Sequence, residues 1–299
     1  MSRFASVLLS ATSGMLCLGA AFGAPSVGAP DFAPNPSVGW IAAGAQFLPP
    51  SSGPGPVRFD PGRPRANNND LRERGAQPTF PVGDLSNPIL QPWAREQMRK
   101  HNADVVAGKS VYSRQASCWP IGVPGFLLYP VQPVYFVQAP KEVLMIWQAD
   151  HQVRHIYLDV RHSANPKVSD YGESVGHYEG DTLVVDTIGV NPRTFIDSSR
   201  TPHTEILHVI ERFRMIDGGK TLEVNVHVED PGAFTTPWNA MQRYRRSEPG
   251  VAEATEALNA VSSTGDAGPM LESSCAENPN ALFGAVDAYP IPQAEKPYF

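Results

Sequence analysis

The amino-acid sequence predicts a mainly β protein: an antiparallel up-and-down barrel of about eight strands with flanking helices. From residue 134 onward, short runs rich in Val, Ile, Tyr and Thr alternate with turn residues. Gly-type hairpin turns join most of these runs in pairs. A meander leaves its first and last edges unpaired unless it closes, and closure into a barrel removes both edges. A two-sheet β-sandwich of the same strands is the alternative.

Eight runs are the candidate strands of a lipocalin-like barrel: 134–138, 143–148, 153–159, 173–178, 182–188, 206–216, 221–229 and 238–245. The longer connections follow the third, fifth and seventh runs and span 160–172, 189–205 and 230–237. In a meander these exits lie at one end, so we expect all three loops at a single mouth. Loops on a rigid scaffold are where functional residues concentrate.

The N-terminal part has two predicted segments. Residues 1–23 resemble a secretory signal peptide, with one cation at Arg3, an apolar stretch and a small-x-small cleavage site. Residues 24–91 are rich in Pro, Gly and Asn, a composition that buries too little apolar surface to fold alone. We therefore expect 24–91 to be an extended or disordered leader.

The predicted folded domain covers residues 92–246. Pro92 suits the first turn of a helix, and Gly108 ends the helical pattern. Trp93, Ala94, Met98, Val105 and Val106 are expected on its buried side. Apolar residues return at helical spacing after the last strand, so 247–299 is predicted to be a helical segment and tail packed on the barrel.

Cys118 and Cys275 remain once the signal peptide is removed, and an even number of cysteines in an exported chain favours a disulfide. Two unpaired buried thiols are the alternative. The same prediction of export places the protein in the periplasm or outside the cell.

Composition and motifs argue against several partners. The net charge of -6 opposes nucleic-acid binding, and the only dense basic run, RYRR at 243–246, is too short to change this. After the signal peptide no apolar run is long enough for a membrane-spanning helix, and the prolines of YPIPQAEKPYF oppose a closing outer-membrane strand. No cofactor is expected, because phosphate-loop, dinucleotide and nucleophile-elbow motifs are lacking. His151 and His155 would lie roughly 13 Å apart on a strand, so no metal site is predicted.

The stretch DHQVRHIYLDVRH, residues 150–162, concentrates polar side chains. On a strand, Tyr157 and Asp159 share one face with His155, while Arg154 shares the other with Ile156. Asp186 interrupts an apolar run and is predicted to be a buried carboxylate paired with Arg154 or Arg212.

A histidine beside carboxylates can act as a general acid or base near neutral pH, although such groups also satisfy polar atoms in ordinary cores. The candidate catalytic residues expected at the mouth are His203, Glu205, Asp159 and His162. The candidate ligand-binding residues are Tyr157, Arg161, Arg193 and Trp238.

Four phrases carry a resemblance: HQVRHIYLDVRH, SVGHYEGDTLVVDTIGVN, PHTEILHVIERF and VHVEDPGAFTTPW. They are similar to a group of uncharacterised exported bacterial proteins, and the likeness runs from the region of Cys118 to Trp238. The resemblance implies a bacterial exported protein. It supplies no reaction, so no catalytic residue is transferred from it.

Three functions remain open. The first is an exported barrel that binds a small, partly apolar molecule at the long-loop mouth, which needs only a cavity. The second is a cofactor-free hydrolase, lyase or isomerase that uses a histidine and a carboxylate there. The third is an envelope interaction protein.

Overall fold

A computed structural model describes residues 28–35, 37–63, 81–107, 119–128, 132–148 and 152–247. Within these ranges nine strands form a closed barrel, and one α-helix accompanies it. This arrangement confirms a mainly β protein with a closed barrel and excludes the two-sheet sandwich.

The strands run in chain order around the barrel: β1 Gly39–Ala42, β2 Val134–Ala139, β3 Glu142–Trp147, β4 Gln152–Leu158, β5 Glu173–Glu179, β6 Thr182–Ile188, β7 His208–Ile216, β8 Thr221–Glu229 and β9 Trp238–Ser247. The prediction of eight strands is corrected, because β1 arises from the proline-rich segment. It pairs with β9 from Gly39 to Ala42 and with β2 through Trp40.

The prediction of a purely antiparallel meander is also corrected. Strand direction reverses at each step around an antiparallel ring, so a ring of nine strands must contain a parallel pair. That pair is β4 and β5, which are joined from Ile156↔Ser174 to Leu158↔Gly176. The connection 159–172 therefore leaves one end of the barrel and returns to the other.

The segment 24–91 supplies part of the core instead of only preceding the domain. Phe32, Trp40 and Phe47 are buried, and the Trp40 indole Nε1 donates a hydrogen bond to the Phe32 carbonyl at 2.9 Å. The aromatic side chains compensate for the low apolar content of the surrounding sequence. The folded unit thus includes residues well before the predicted boundary at 92.

Helix α1, Pro92–Val106, forms where the sequence predicted it. Ala94 and Met98 are buried, whereas Trp93 and Val106 are exposed, so the predicted buried side was too wide. Asn102 fixes the helix to the preceding segment: its amide donates to the Gly83 carbonyl, and the Gly83 N–H donates back to it.

The predicted single mouth for three long loops is partly correct. From the strand directions, 189–207, 230–237 and the β1–β2 connection lie at one end of the barrel, which we call the long-loop end. The connection after β4 begins at the opposite end because β4 is parallel to β5.

The lumen is filled by side chains that alternate along each strand. On β8, Leu222, Val224, Val226 and Val228 are buried, as the sequence predicted. Three buried tryptophans, Trp40, Trp147 and Trp238, have the largest side chains of the core, and Arg154 is also fully buried.

Several predictions fall on residues outside the described ranges. These are the signal peptide, both cysteines of the expected disulfide, and all but Ser247 of the C-terminal segment 247–299. Among the described residues, no helix is long and apolar enough to cross a membrane.

Candidate functional site

A line of alternating histidines and carboxylates crosses the outer wall of the barrel. Its members are Glu173 on β5, Asp186 on β6, His208 on β7, His227 and Glu229 on β8, and His162 from the β4–β5 connection. We call this set the histidine–carboxylate row. The row residues that belong to strands point outward, since side chains alternate along a strand and the adjacent residues are buried in the core.

One end of the row is built by the β4–β5 connection. His162 places Nδ1 3.1 Å from Glu173 Oε1 and Nε2 2.9 Å from Asp186 Oδ1. Ser163 donates its backbone N–H and its hydroxyl to the Glu173 carboxylate, each at 2.7 Å. The loop is therefore held against β5 and β6 by charge-assisted contacts.

The other end of the row is carried by β7 and β8. His208 places Nε2 3.0 Å from Asp186 Oδ1 and Nδ1 3.3 Å from Glu229 Oε2. His227 places Nε2 2.9 Å from Glu229 Oε1 and Nδ1 2.8 Å from the Asn239 side-chain oxygen. Asp186 and Glu229 thus each contact two histidines.

These contacts shift the pKa values in opposite directions. The hydrogen bond from His208, followed by that from His162, lowers the pKa of Asp186. The hydrogen bond to Asp186 is the largest cause of the raised pKa of His208, and burial opposes it. Hydrogen bonds from His227 and His208 lower the pKa of Glu229. Because both His208 nitrogens face carboxylate oxygens, two N–H groups and hence the imidazolium form are favoured there.

An open groove of about 350 Å³ adjoins the His227 end of the row. It lies on the outer wall over β7, β8 and β9, beneath a loop that follows β1. Its lining is Pro50, Ser51, Ile210, Arg212, Asn225, Val226, His227, Asn239, Ala240 and Met241. The groove therefore combines apolar side chains with hydrogen-bonding groups, as small-molecule sites do.

Arg212 is the only lining residue with a permanent charge. It forms an ion pair with Glu179 of β5, and both side chains are about half exposed. Glu179 also accepts from His177 at 3.0 Å and has a lowered pKa, for which the His177 hydrogen bond is the largest cause.

A second polar cluster lies inside the lumen. The Arg154 guanidinium forms a bidentate pair with Glu211: Nη1 lies 2.9 Å from Oε1, and Nη2 contacts Oε2. Arg154 also donates to the hydroxyls of Ser174 and Thr187. All four residues are buried, so this cluster satisfies charges within the core.

The predicted mouth residues are not brought together. His203 is buried, with Nδ1 2.9 Å from the Thr204 carbonyl and Nε2 2.8 Å from the Thr194 hydroxyl. Burial lowers its pKa, so the neutral ring donates from Nδ1 and accepts at Nε2. Glu205 is exposed nearby, whereas Asp159 lies at the opposite end of the barrel after β4. His162 belongs to the histidine–carboxylate row.

The predicted ligand-binding residues are also dispersed. Tyr157 projects outward from β4 with its ring stacked on His155, and Arg161 is exposed in the following loop. Arg193 is exposed in the β6–β7 connection. Trp238 is buried at the long-loop end, where its ring packs edge-on against Phe47 and Phe234.

Sequence reasoning missed most of the row. Asp186 was expected inside the barrel beside Arg154 or Arg212, but it is outward-facing and contacts His162 and His208. Arg154 pairs with Glu211 instead. The pairing of β6 with β7 brings His208 beside Asp186, and the sequence does not show this register.

Among the described residues, no group of three His, Cys, Asp or Glu side chains has a geometry that could hold a metal ion.

Comparisons of the chain with protein-family models, curated proteins and solved structures give no match.

Proposed function

We propose that this is an exported protein that binds a small, partly apolar molecule in the groove on the outer wall of its barrel. The observation that carries this proposal is the groove itself. Its volume lies at the lower end of the range of small-molecule sites, and Ile210 and Met241 stand beside Asn225, His227 and Asn239 in its lining.

The lumen and the long-loop end are less suited to a ligand. Arg154, Glu211 and large apolar side chains occupy the lumen. At the long-loop end, Asp230 accepts from the Thr204 N–H at 2.6 Å and from the Thr204 hydroxyl at 2.7 Å, which ties two loops together. The outer groove is therefore the better location than the predicted mouth.

Acid–base catalysis is less favoured than binding. A histidine that acts as a general base needs a ring nitrogen within reach of a substrate proton. Both nitrogens of His162 and both of His208 contact carboxylate oxygens. His227 lines the groove, but Glu229 and Asn239 occupy its two nitrogens, so a substrate would first have to displace the Asn239 amide.

The test is native mass spectrometry of the mature protein purified from its own host, with wild type compared with Met241→Trp. The larger ring should fill the groove, so a small molecule retained by wild type should be lost. Leu144→Trp is the matched control, since Leu144 also faces outward and is half-buried but lies on β3. Equal retention by all three proteins would place the ligand elsewhere, and a wild-type protein without retained ligand would argue against tight binding.

A further inference from the structure

We propose that the ligand of this groove is an anionic amphiphile, with a carboxylate held by Arg212 and a partly apolar body lying against Ile210 and Met241. This inference rests on the proposed binding function and adds the chemical class of the ligand.

The charge of the lining carries the first step. None of the ten lining residues is acidic, whereas Arg212 supplies a permanent cation and Asn225, His227 and Asn239 supply polar groups. The chain as a whole is acidic, with a net charge of -6. A lining without acidic residues therefore does not follow from the overall charge of the protein. A cation exposed in such a lining favours a ligand with an anionic group.

Two carboxylates that contact lining residues, Glu229 and Glu179, are already engaged. Glu229 contacts His208 and His227 through its two oxygens. Glu179 contacts His177 and Arg212. The negative charges of Glu229 and Glu179 are therefore partly balanced by their own neighbours. This reduces the repulsion between these two acids and a ligand carboxylate in the groove.

The Arg212 side chain suits a second acceptor. Glu179 engages one terminal nitrogen of Arg212, while a guanidinium carries five N–H donors in a planar fork that matches a carboxylate. Because this ion pair is about half exposed, it holds Arg212 only weakly. A ligand carboxylate can bind beside Glu179 or take its place.

The apolar part of the lining sets the rest of the ligand. Ile210 and Met241 project from β7 and β9 on either side of β8, and Pro50 faces them from the loop. Methionine adapts its shape to different apolar partners. Together they favour a compact hydrocarbon or aromatic body over a sugar or a polyanion.

The experiment is calorimetric titration of the full mature protein with three carboxylates, octanoate, 4-phenylbutyrate and cyclohexylacetate, and with their primary amides. At least one acid should bind about tenfold more tightly than its amide, a difference of roughly 1.4 kcal/mol. Arg212→Gln should abolish that preference without reducing amide binding, and Arg212→Lys should restore it in part. Arg214→Gln is the matched control: it faces outward two residues along β7 but does not line the groove.

The outcomes separate the two proposals. Equal binding of acids and amides, abolished by Met241→Trp, would overturn the carboxylate class and leave the binding site intact. A preference for the acid that survives Arg212→Gln would also overturn it. Binding of no probe, or binding unaffected by Met241→Trp, would count against the groove as a ligand site and hence against both proposals.

Discussion

Replacing Glu211 by Gln should destabilise the barrel strongly, because the substitution leaves the Arg154 guanidinium buried without its counter-ion. Arg154 and Glu211 are 1% and 0% exposed. Removing one partner of a buried ion pair lowers the free energy of unfolding by about 3–5 kcal/mol. The amide oxygen of Gln still accepts one hydrogen bond, and Ser174 and Thr187 still accept from Arg154, so we expect the lower end, about 3 kcal/mol.

The assay is equilibrium urea unfolding followed by tryptophan fluorescence, which reports on three tryptophans buried in the core. The urea concentration at the midpoint of unfolding should fall, while the dependence of the free energy of unfolding on urea concentration stays unchanged. For a domain of this size, about 3 kcal/mol corresponds to a drop of roughly 6–12 °C in Tm. Glu179→Gln removes a partner of Arg212 on the outer wall, where water screens the charge, and should leave the midpoint nearly unchanged.

A double variant tests the cause of the loss. Arg154→Met combined with Glu211→Leu removes both charges, and the Ser174 and Thr187 hydroxyls remain 2.9 Å apart and able to bond to each other. The double variant should therefore be more stable than Glu211→Gln alone. A loss of less than about 1 kcal/mol for Glu211→Gln, or a double variant less stable than the single one, would refute the reasoning.

Three further predictions concern the loops, the histidine–carboxylate row and the closing strand. His203→Ala should lower Tm markedly in a thermal scan, because it leaves a cavity at a buried position and removes two hydrogen bonds; Glu205→Ala, at an exposed position, should change Tm little, and equal effects would count against a structural role for His203. His208→Gln should destabilise the protein more at pH 6 than at pH 9. Because the pKa of His208 is raised in the folded protein, its contribution to the free energy of unfolding is present below its ordinary pKa and is lost as the pH rises through the raised value. Urea midpoints that shift equally at both pH values would contradict a charged His208. Trp40→Ala should cost about 3–5 kcal/mol in urea unfolding, whereas Trp93→Ala, which is 44% exposed, should cost far less; a small loss for Trp40→Ala would show that β1 is dispensable.

Strand positions and faces could be predicted where a two-residue period extends along a strand. On β8, Leu222 to Val228 alternate with polar residues, so the buried face follows from the sequence alone. Likewise, Arg154 and Tyr157 lie on opposite faces of β4, as the parity of DHQVRHIYLDVRH predicted, but only the structure shows that Arg154 faces the lumen and Tyr157 faces outward. These features depend on local chemistry.

Features that depend on distant pairing could not be predicted. β1 has four residues, and its partners on β2 and β9 lie far along the chain, so the proline-rich segment carries little strand signal. The length of 159–172 predicts a loop, but it does not reveal that this loop runs from one end of the barrel to the other. The histidine–carboxylate row needs the registers of β6, β7 and β8 together, because Asp186, His208 and Glu229 come from three strands.

The contribution of β1 also constrains the order of folding. Trp40 and Arg246 sit side by side in the ring, although nearly the whole described chain separates them. Contacts between such distant residues have a high entropic cost of loop closure and form slowly. Until β9 has been synthesised, β1 and β8 each lack one neighbour and remain open edges that could pair with another chain. A chain that crosses a membrane before folding would assemble this ring only after its last strand arrives.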